Sequence, residues 1–187
     1  MKEQIDMSEN IGCGLIANPG HIEAANLSGH YEVECIGEDG EVKWTDRIDN
    51  LVTTVGKDLA LDTVIAGSAY TATTRMGLKG TGSAVIGDTQ ASHAGWLEVG
   101  LANAPTYSGN RPVPSFSAAS GGSKATSAAV SFSITGSGTV AGCFININGS
   151  ATIDNTTGTL YSAGDFSGGS RTVANGDTIN VTYTATA

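Results

Sequence analysis

The sequence predicts a mainly β protein: an antiparallel β-sandwich or jelly-roll-like domain with an extended N-terminal arm, one β-hairpin and one α-helix. Two observations carry this prediction. Only 14% of the 187 residues are charged, well below the usual quarter, and Ala, Gly, Ser and Thr fill the difference, which favours short strands and tight turns. Apolar residues also alternate with polar ones over several short segments that glycine-containing turns separate.

Residues 1–29 are predicted to form an extended arm. They lack a sustained helical or strand period, yet their scattered apolar residues make them less polar than a flexible tail usually is. We expect the arm to become ordered against its own domain or against a neighbouring subunit. The candidate interface residues in it are Ile11, Leu15 and Ile16.

A β-rich domain is predicted over 30–187, and it opens with a hairpin at 30–49. Apolar and acidic residues alternate in its first strand, and the Asp39-Gly40 pair suits the positive backbone angles of a tight hairpin turn. The residues predicted to face the core of the domain are Tyr31, Val33, Cys35, Val42 and Trp44.

One helix is predicted at about 53–66, lying over the sheet, with Thr53 or Thr54 as its N-cap and Gly67 at its end. Apolar residues recur there at three- and four-residue steps, which is the spacing of one helical face. Leu51, Val55 and Leu59 fall at four-residue steps, and Leu61, Val64 and Ile65 fall at three- and four-residue steps.

The sandwich itself is predicted over 70–187. Short alternating segments are separated there by turn sequences such as Asn148-Gly149 and Asn175-Gly176-Asp177. The predicted strands are 74–79, 95–101, 128–135, 138–147, 158–163 and 177–184.

The charge distribution limits the kinds of molecule that the protein is expected to bind. Residues 1–63 contain 13 of the 18 acidic residues and 4 of the 9 basic residues, whereas 64–187 contain five of each. An acidic first third argues against binding to nucleic acid, which needs clustered Lys and Arg. A charge-balanced remainder suits packing against other protein subunits.

No secretory signal or membrane-length apolar run is visible, so we expect synthesis in a cytoplasm and no membrane partner. The three cysteines have no metal-type spacing and are expected to be free, buried thiols. They are Cys13, Cys35 and Cys143.

The segment 90–98, read QASHAGWLE, brings a histidine, a tryptophan and a carboxylate close together in sequence. Acid–base catalysis needs a histidine with an orienting partner in hydrogen-bond reach. In an extended strand, however, Trp96 and Glu98 share a face that His93 does not. We therefore interpret the segment as a turn that leads into a half-buried strand, with Trp96 as a packing anchor.

No catalytic, metal-binding or cofactor-binding residues are predicted, and the protein is not expected to be an enzyme. The oxygen-rich segments 154–156 and 175–177 do not follow a calcium-loop pattern and are interpreted as turns. Three aromatic residues could form a sugar-stacking platform, but the low aromatic content favours their use in the core. They are Tyr161, Phe166 and Tyr183.

Several segments resemble virion structural proteins of tailed bacteriophages, and the resemblance extends over about 30–184. Its most distinctive part is a strand, an Asp-Gly turn, a Lys-Trp strand and an Asn-Leu-Val-Thr helix start. The matching segments are Tyr31–Cys35, Glu38–Trp44, Asn50–Gly56, Leu61–Asp62, Ala91–Trp96, Ala104–Tyr107, Ser120–Lys124 and Asn175–Tyr183.

The resemblance implies a place in a virion but transfers no functional residues. With the apolar arm and the charge-poor domain, it leads us to expect a capsid decoration, or cement, protein on the head surface. Its expected partners are the major capsid protein and two further copies of itself in a homotrimer. The alternative is a head- or tail-fibre module that recognises a host glycan through exposed loops such as 103–114.

Overall fold

A computed structural model describes residues 27–65 and 72–187 of the chain. In these residues it contains thirteen strands and one helix. In chain order they are β1 (Ser28–Ile36), β2 (Val42–Asp49), β3 (Leu51–Val52), α1 (Thr54–Ile65), β4 (Thr74–Lys79), β5 (Glu98–Val99), β6 (Thr106–Tyr107), β7 (Ser123–Ala125), β8 (Val130–Gly136), β9 (Gly138–Val140), β10 (Gly142–Ile147), β11 (Thr159–Asp165), β12 (Arg171–Val173) and β13 (Thr178–Thr186).

Two sheets form the framework of the molecule. The first has the strand order β2-β1-β13-β8-β6, with β7 also paired to β13, and the second has the order β3-β11-β10-β4-β5. Strands β12 and β9 pair separately. Paired strands in all three groups run antiparallel. The predicted antiparallel β-sandwich is therefore confirmed.

The main core lies between the two sheets and contains side chains from both. Alternation places Tyr31, Val33 and Cys35 of β1 in it, as predicted, while Glu32 points to solvent. Across the core, the Tyr31 hydroxyl shares a hydrogen bond of 2.6 Å with the hydroxyl of Ser162 on β11. This bond satisfies two buried polar groups and ties one sheet to the other.

Strand β10 is buried on both of its faces. Cys143 and Ile145 point into the main core, and Phe144 between them points into a second apolar cluster with Trp96. Cys35 and Cys143 are free and buried, as predicted, and burial raises the pKa of the Cys35 thiol to about 11. Cys13 lies outside the described residues.

Several strands have bounds that differ from the predicted ones. Strand β4 matches the predicted 74–79, but the predicted strand 95–101 is reduced to β5. The predicted strand 138–147 divides at Ala141, because β9 pairs with β12 while β10 joins the second sheet. Strand β1 begins at Ser28, two residues before the predicted domain boundary.

The helix is confirmed, but its predicted apolar residues pack only in part: Val55 and Leu59 are half-buried, whereas Leu61, Val64 and Ile65 are exposed. The Thr53 hydroxyl accepts a hydrogen bond from the Gly56 amide at 3.1 Å, which makes Thr53 the N-cap. Gly56 packs against the backbone of Tyr161 so closely that a Cβ would collide with it. Leu51 belongs to β3 and not to the helix.

Edge strand β2 is fastened by two acidic residues. Asp46 accepts hydrogen bonds from Arg171 at 2.8 and 3.1 Å and from Ser167 at 2.9 and 3.0 Å. Lys43 donates to Asp177 at 2.7 Å. Val42, predicted to face the core, is exposed because it lies where β2 leaves the turn.

Stability is expected to fall in acid partly through Asp46. Burial raises the pKa of its carboxyl, but the hydrogen bonds from Arg171 and Ser167 outweigh burial and hold that pKa below its usual value. Such a group stabilises the fold above its unfolded pKa of about 3.9, and the contribution disappears as pH falls through the folded value. Urea unfolding at pH 7 and pH 3 should show a larger loss for the native chain than for Asp46→Asn. Equal losses would contradict this assignment.

Candidate functional site

The segment 90–98 forms one wall of a cavity of about 400 Å³. The loop 154–156 forms the opposite wall, and Asn103 lies at its side. Gln90, buried in this wall, donates to the Asn155 carbonyl at 3.3 Å and so joins the two walls. The cavity is thus bounded by two loops that are held to each other, and loops positioned by a rigid scaffold commonly carry function.

Trp96 anchors the first of these loops. Its indole is only 2% exposed and packs against Phe144 of β10 with ring centroids 5.5 Å apart. The indole N–H donates to the buried Asp88 carboxylate at 2.9 Å. His93 stacks on the indole at 4.0 Å. The interpretation of Trp96 as a packing anchor is confirmed, although it lies in a loop that precedes β5 and not in a strand.

His93 is oriented by the backbone of the same loop. Its Nδ1 lies 3.0 Å from the Trp96 carbonyl oxygen, which can only accept, so Nδ1 donates in this hydrogen bond. Glu98 points to Arg111, not to His93. The two residues therefore do not form the acid–base pair that their proximity in sequence suggested.

Glu98, which lines the cavity, forms a buried ion pair with Arg111. Arg111 donates from Nε to Glu98 Oε1 at 2.7 Å and from Nη2 to the other carboxylate oxygen, so the pair is bidentate. Both side chains are almost inaccessible to solvent. A charge in such a position is tolerated only when its partner and further hydrogen bonds compensate its lost hydration.

The same pair holds the second loop in place. Arg111 donates to the carbonyls of Ser150 at 3.2 Å and Asn155 at 2.8 Å. Glu98 accepts from the Asp154 amide at 2.8 Å. The backbone of Asp154 has a φ of 63°, a left-handed conformation that these bonds stabilise. The cavity walls are therefore positioned by one buried pair.

The outer face of helix α1 is a second candidate surface. Leu61, Val64 and Ile65, which the sequence places on a core-facing stripe, are 58%, 80% and 78% exposed. We call these three residues the outer apolar face. Its exposure is unusual, because large aliphatic side chains on one helix commonly mark a contact with another protein.

The aromatic residues that could stack on a sugar do not form an exposed platform. Phe166 and Tyr183 are buried in the main core and Tyr161 is half-buried against it, as the core interpretation predicts. In the loop 103–114, Tyr107 and Arg111 are also buried.

Three predicted interface residues, Ile11, Leu15 and Ile16, lie outside the described residues. Within 27–65 and 72–187, no group of three His, Cys, Asp or Glu side chains is arranged to hold a metal ion. No helix in this part of the chain has the length and apolar character needed to cross a membrane.

Comparison with known proteins adds no relative. The chain matches no protein-family model, no curated protein and no solved structure. Its function must therefore be argued from its own residues.

Sequence reasoning missed the two buried cations, Arg111 and Lys79. Lys79 ends β4, is fully buried, and donates to Asp165 and to the carbonyl oxygens of Gly80 and Gly82. Composition offered one signal for these two residues. Residues 64–187 contain only five basic residues, so each of them stands out among mainly small side chains. Spacing alone could not pair Arg111 with Glu98 across thirteen residues.

Proposed function

We propose that the protein is a virion structural protein of a tailed bacteriophage, of the capsid decoration or cement type. In this role it binds the major capsid protein and stabilises the head. The observation that carries the proposal is the outer apolar face, in which Leu61, Val64 and Ile65 point away from the sandwich. Covering these side chains removes apolar area from water, which is the main driving force of protein association.

The composition of helix α1 supports a covered position. Over its last seven residues, 59–65, the helix carries a single charged side chain, Asp62. Leu59 and Ala60 are half-buried against the sheets, while the outer apolar face has no neighbour within the described chain that buries it. A helix that is apolar on both sides is typical of one that is buried in an assembly.

The charges of the domain also suit association. Most of the charged residues in 64–187 form ion pairs within the molecule, so few unpaired charges remain there to repel a neighbouring subunit. The pairs are Lys79–Asp165, Arg111–Glu98, Arg171–Asp46 and Lys43–Asp177.

The proposed mechanism is apolar docking repeated by symmetry. One helix face of three side chains is small compared with the roughly 1,200–2,000 Å² that a stable protein interface buries. A homotrimer would present three such faces to adjacent capsid subunits. Binding through several faces at once raises the overall affinity without any new contact, and it would link the subunits that the faces contact.

The proposal predicts that the outer apolar face is needed for head binding. The triple variant Leu61→Ser, Val64→Ser, Ile65→Ser should fold normally, since all three side chains are exposed, but it should lose at least tenfold in affinity for heads. The measurement is co-sedimentation with purified heads that lack the protein, followed by reconstruction of the bound particles.

Val113→Ser provides the matched control. Val113 is 57% exposed, lies between β6 and β7, and is not part of helix α1, so its replacement should leave head binding unchanged. Full occupancy of heads by the triple variant would contradict the role of the helix. Failure of the native protein to bind heads would contradict the decoration function itself.

A second candidate function, a fibre module that recognises a host glycan, is supported by the cavity beside His93. Its lining includes groups that can accept hydrogen bonds: the Gln90 amide oxygen, which has no partner in the described chain, and the carboxylate of Asp154, which accepts from the Ala102 amide through one oxygen. Sugar hydroxyls could donate to such groups. Density on the tail or on fibres, with bare heads, in the same reconstruction would favour this alternative.

A further inference from the structure

We infer that the segment Ile11–Ile16 of the same chain docks in an apolar groove beneath helix α1 and completes the main core. The inference is independent of the virion proposal, because it concerns a contact within one chain. It assigns an occupant to an apolar opening in the core and a position to the predicted interface residues.

The groove has a volume of about 260 Å³ and lies between helix α1 and both sheets. Leu59, Ala60 and Thr63 of the helix form one side. The other lining residues come from the sheets and from the segment before β7: Thr74, Phe116, Lys124, Ile145, Ile147, Tyr161, Tyr183 and Ala185.

The main core is incompletely covered at this groove. Five hydrophobic residues pack against the core while remaining partly exposed, and four of them line the groove. Those four are Phe116, Ile147, Tyr161 and Ala185. An opening of this kind, with apolar walls on two sheets and a helix, is where further apolar side chains gain most by leaving water.

The first strand, β1, starts beside this groove. Ser28 pairs with Thr186, the neighbour of the groove residue Ala185. Gly29 lies so close to Tyr183, another groove residue, that a Cβ there would stand 2.7 Å from its hydroxyl oxygen. The first strand therefore begins next to the groove.

The segment 1–26 has the composition to fill the groove. Ile11, Leu15 and Ile16 are branched aliphatic residues, and the segment contains four acidic residues against one basic residue. Lys124 in the groove wall complements that negative charge.

Length and tethering favour the chain's own segment as the occupant. Eleven residues separate Ile16 from Ser28. Fully extended they reach roughly 36–40 Å, about twice the length of a twelve-residue helix. A segment tethered this close to its site has an effective concentration in the millimolar range, which a free partner rarely matches.

The first experiment uses photocrosslinking in the full-length chain. A diazirine amino acid at position 63, in the groove wall, should crosslink to peptides within 11–16. The same amino acid at position 64, on the exposed side of the helix, should not. Mixing heavy- and light-isotope protein distinguishes crosslinks within one chain from those between chains.

The second experiment measures stability. Leu15→Asp with Ile16→Asp should lower the urea midpoint, because two charges would have to enter the groove or leave it open, whereas Ile5→Asp should not. Mixed-isotope crosslinks would show that a second copy is the occupant and overturn the inference. It would equally be overturned by crosslinks at 63 that miss residues 11–16, by equal crosslinking from 63 and 64, or by an unchanged midpoint.

Discussion

Replacement of Arg111 by methionine is expected to lower the free energy of unfolding by about 3–5 kcal/mol, because it leaves the Glu98 carboxylate buried without its partner. It also removes the hydrogen bonds from Arg111 to the carbonyls of Ser150 and Asn155. The loop 154–156 should loosen as a result. Urea unfolding monitored by circular dichroism measures the loss.

A double-mutant cycle separates the ion pair from the rest of the effect. Glu98→Gln alone should also destabilise the protein, since it leaves the guanidinium of Arg111 uncompensated. The double variant Glu98→Gln, Arg111→Met should lose less than the sum of the two single variants, because neither charge then remains unpaired. Additive losses would show that the two side chains act independently and would contradict the assigned pairing.

The sequence was sufficient to predict those parts of the fold that local patterns determine. Alternation in β1 correctly identified the core residues Tyr31, Val33 and Cys35, since one face of the strand is buried. The Asp39-Gly40 turn and the Thr53 cap were predictable because they depend on residues within a few positions of one another.

Long-range pairing accounts for what was missed. The helical spacing of Leu61, Val64 and Ile65 predicts a buried face, but the helix packs through Gly56 and, further along, through the half-buried Leu59 and Ala60, so these three side chains are left exposed. Nothing within the helix determines which of its apolar residues the sheets will cover. The candidate cavity was missed for the same reason, because the loop 154–156 reaches segment 90–98 only through the folded sheets.

Replacement of Trp96 by alanine is expected to cost about 3–5 kcal/mol, because it empties the second apolar cluster beside Phe144. It also leaves the buried Asp88 carboxylate without the indole donor. Trp96→Phe keeps most of the apolar volume, so it should cost less, about 1–3 kcal/mol, mainly through the lost hydrogen bond to Asp88. Chemical unfolding of both variants measures the difference.

His93→Ala is the comparison that tests whether this segment is structural. Stacking of the imidazole on Trp96 should contribute only about 0.5–1.5 kcal/mol, which is the usual contribution of a pair of stacked rings. A loss as large as that of Trp96→Ala would contradict the assignment of Trp96 as the anchor. The expected order, with Trp96→Ala far above His93→Ala, leaves Nε2 of His93 as a group that the fold does not require and that a ligand in the cavity could use.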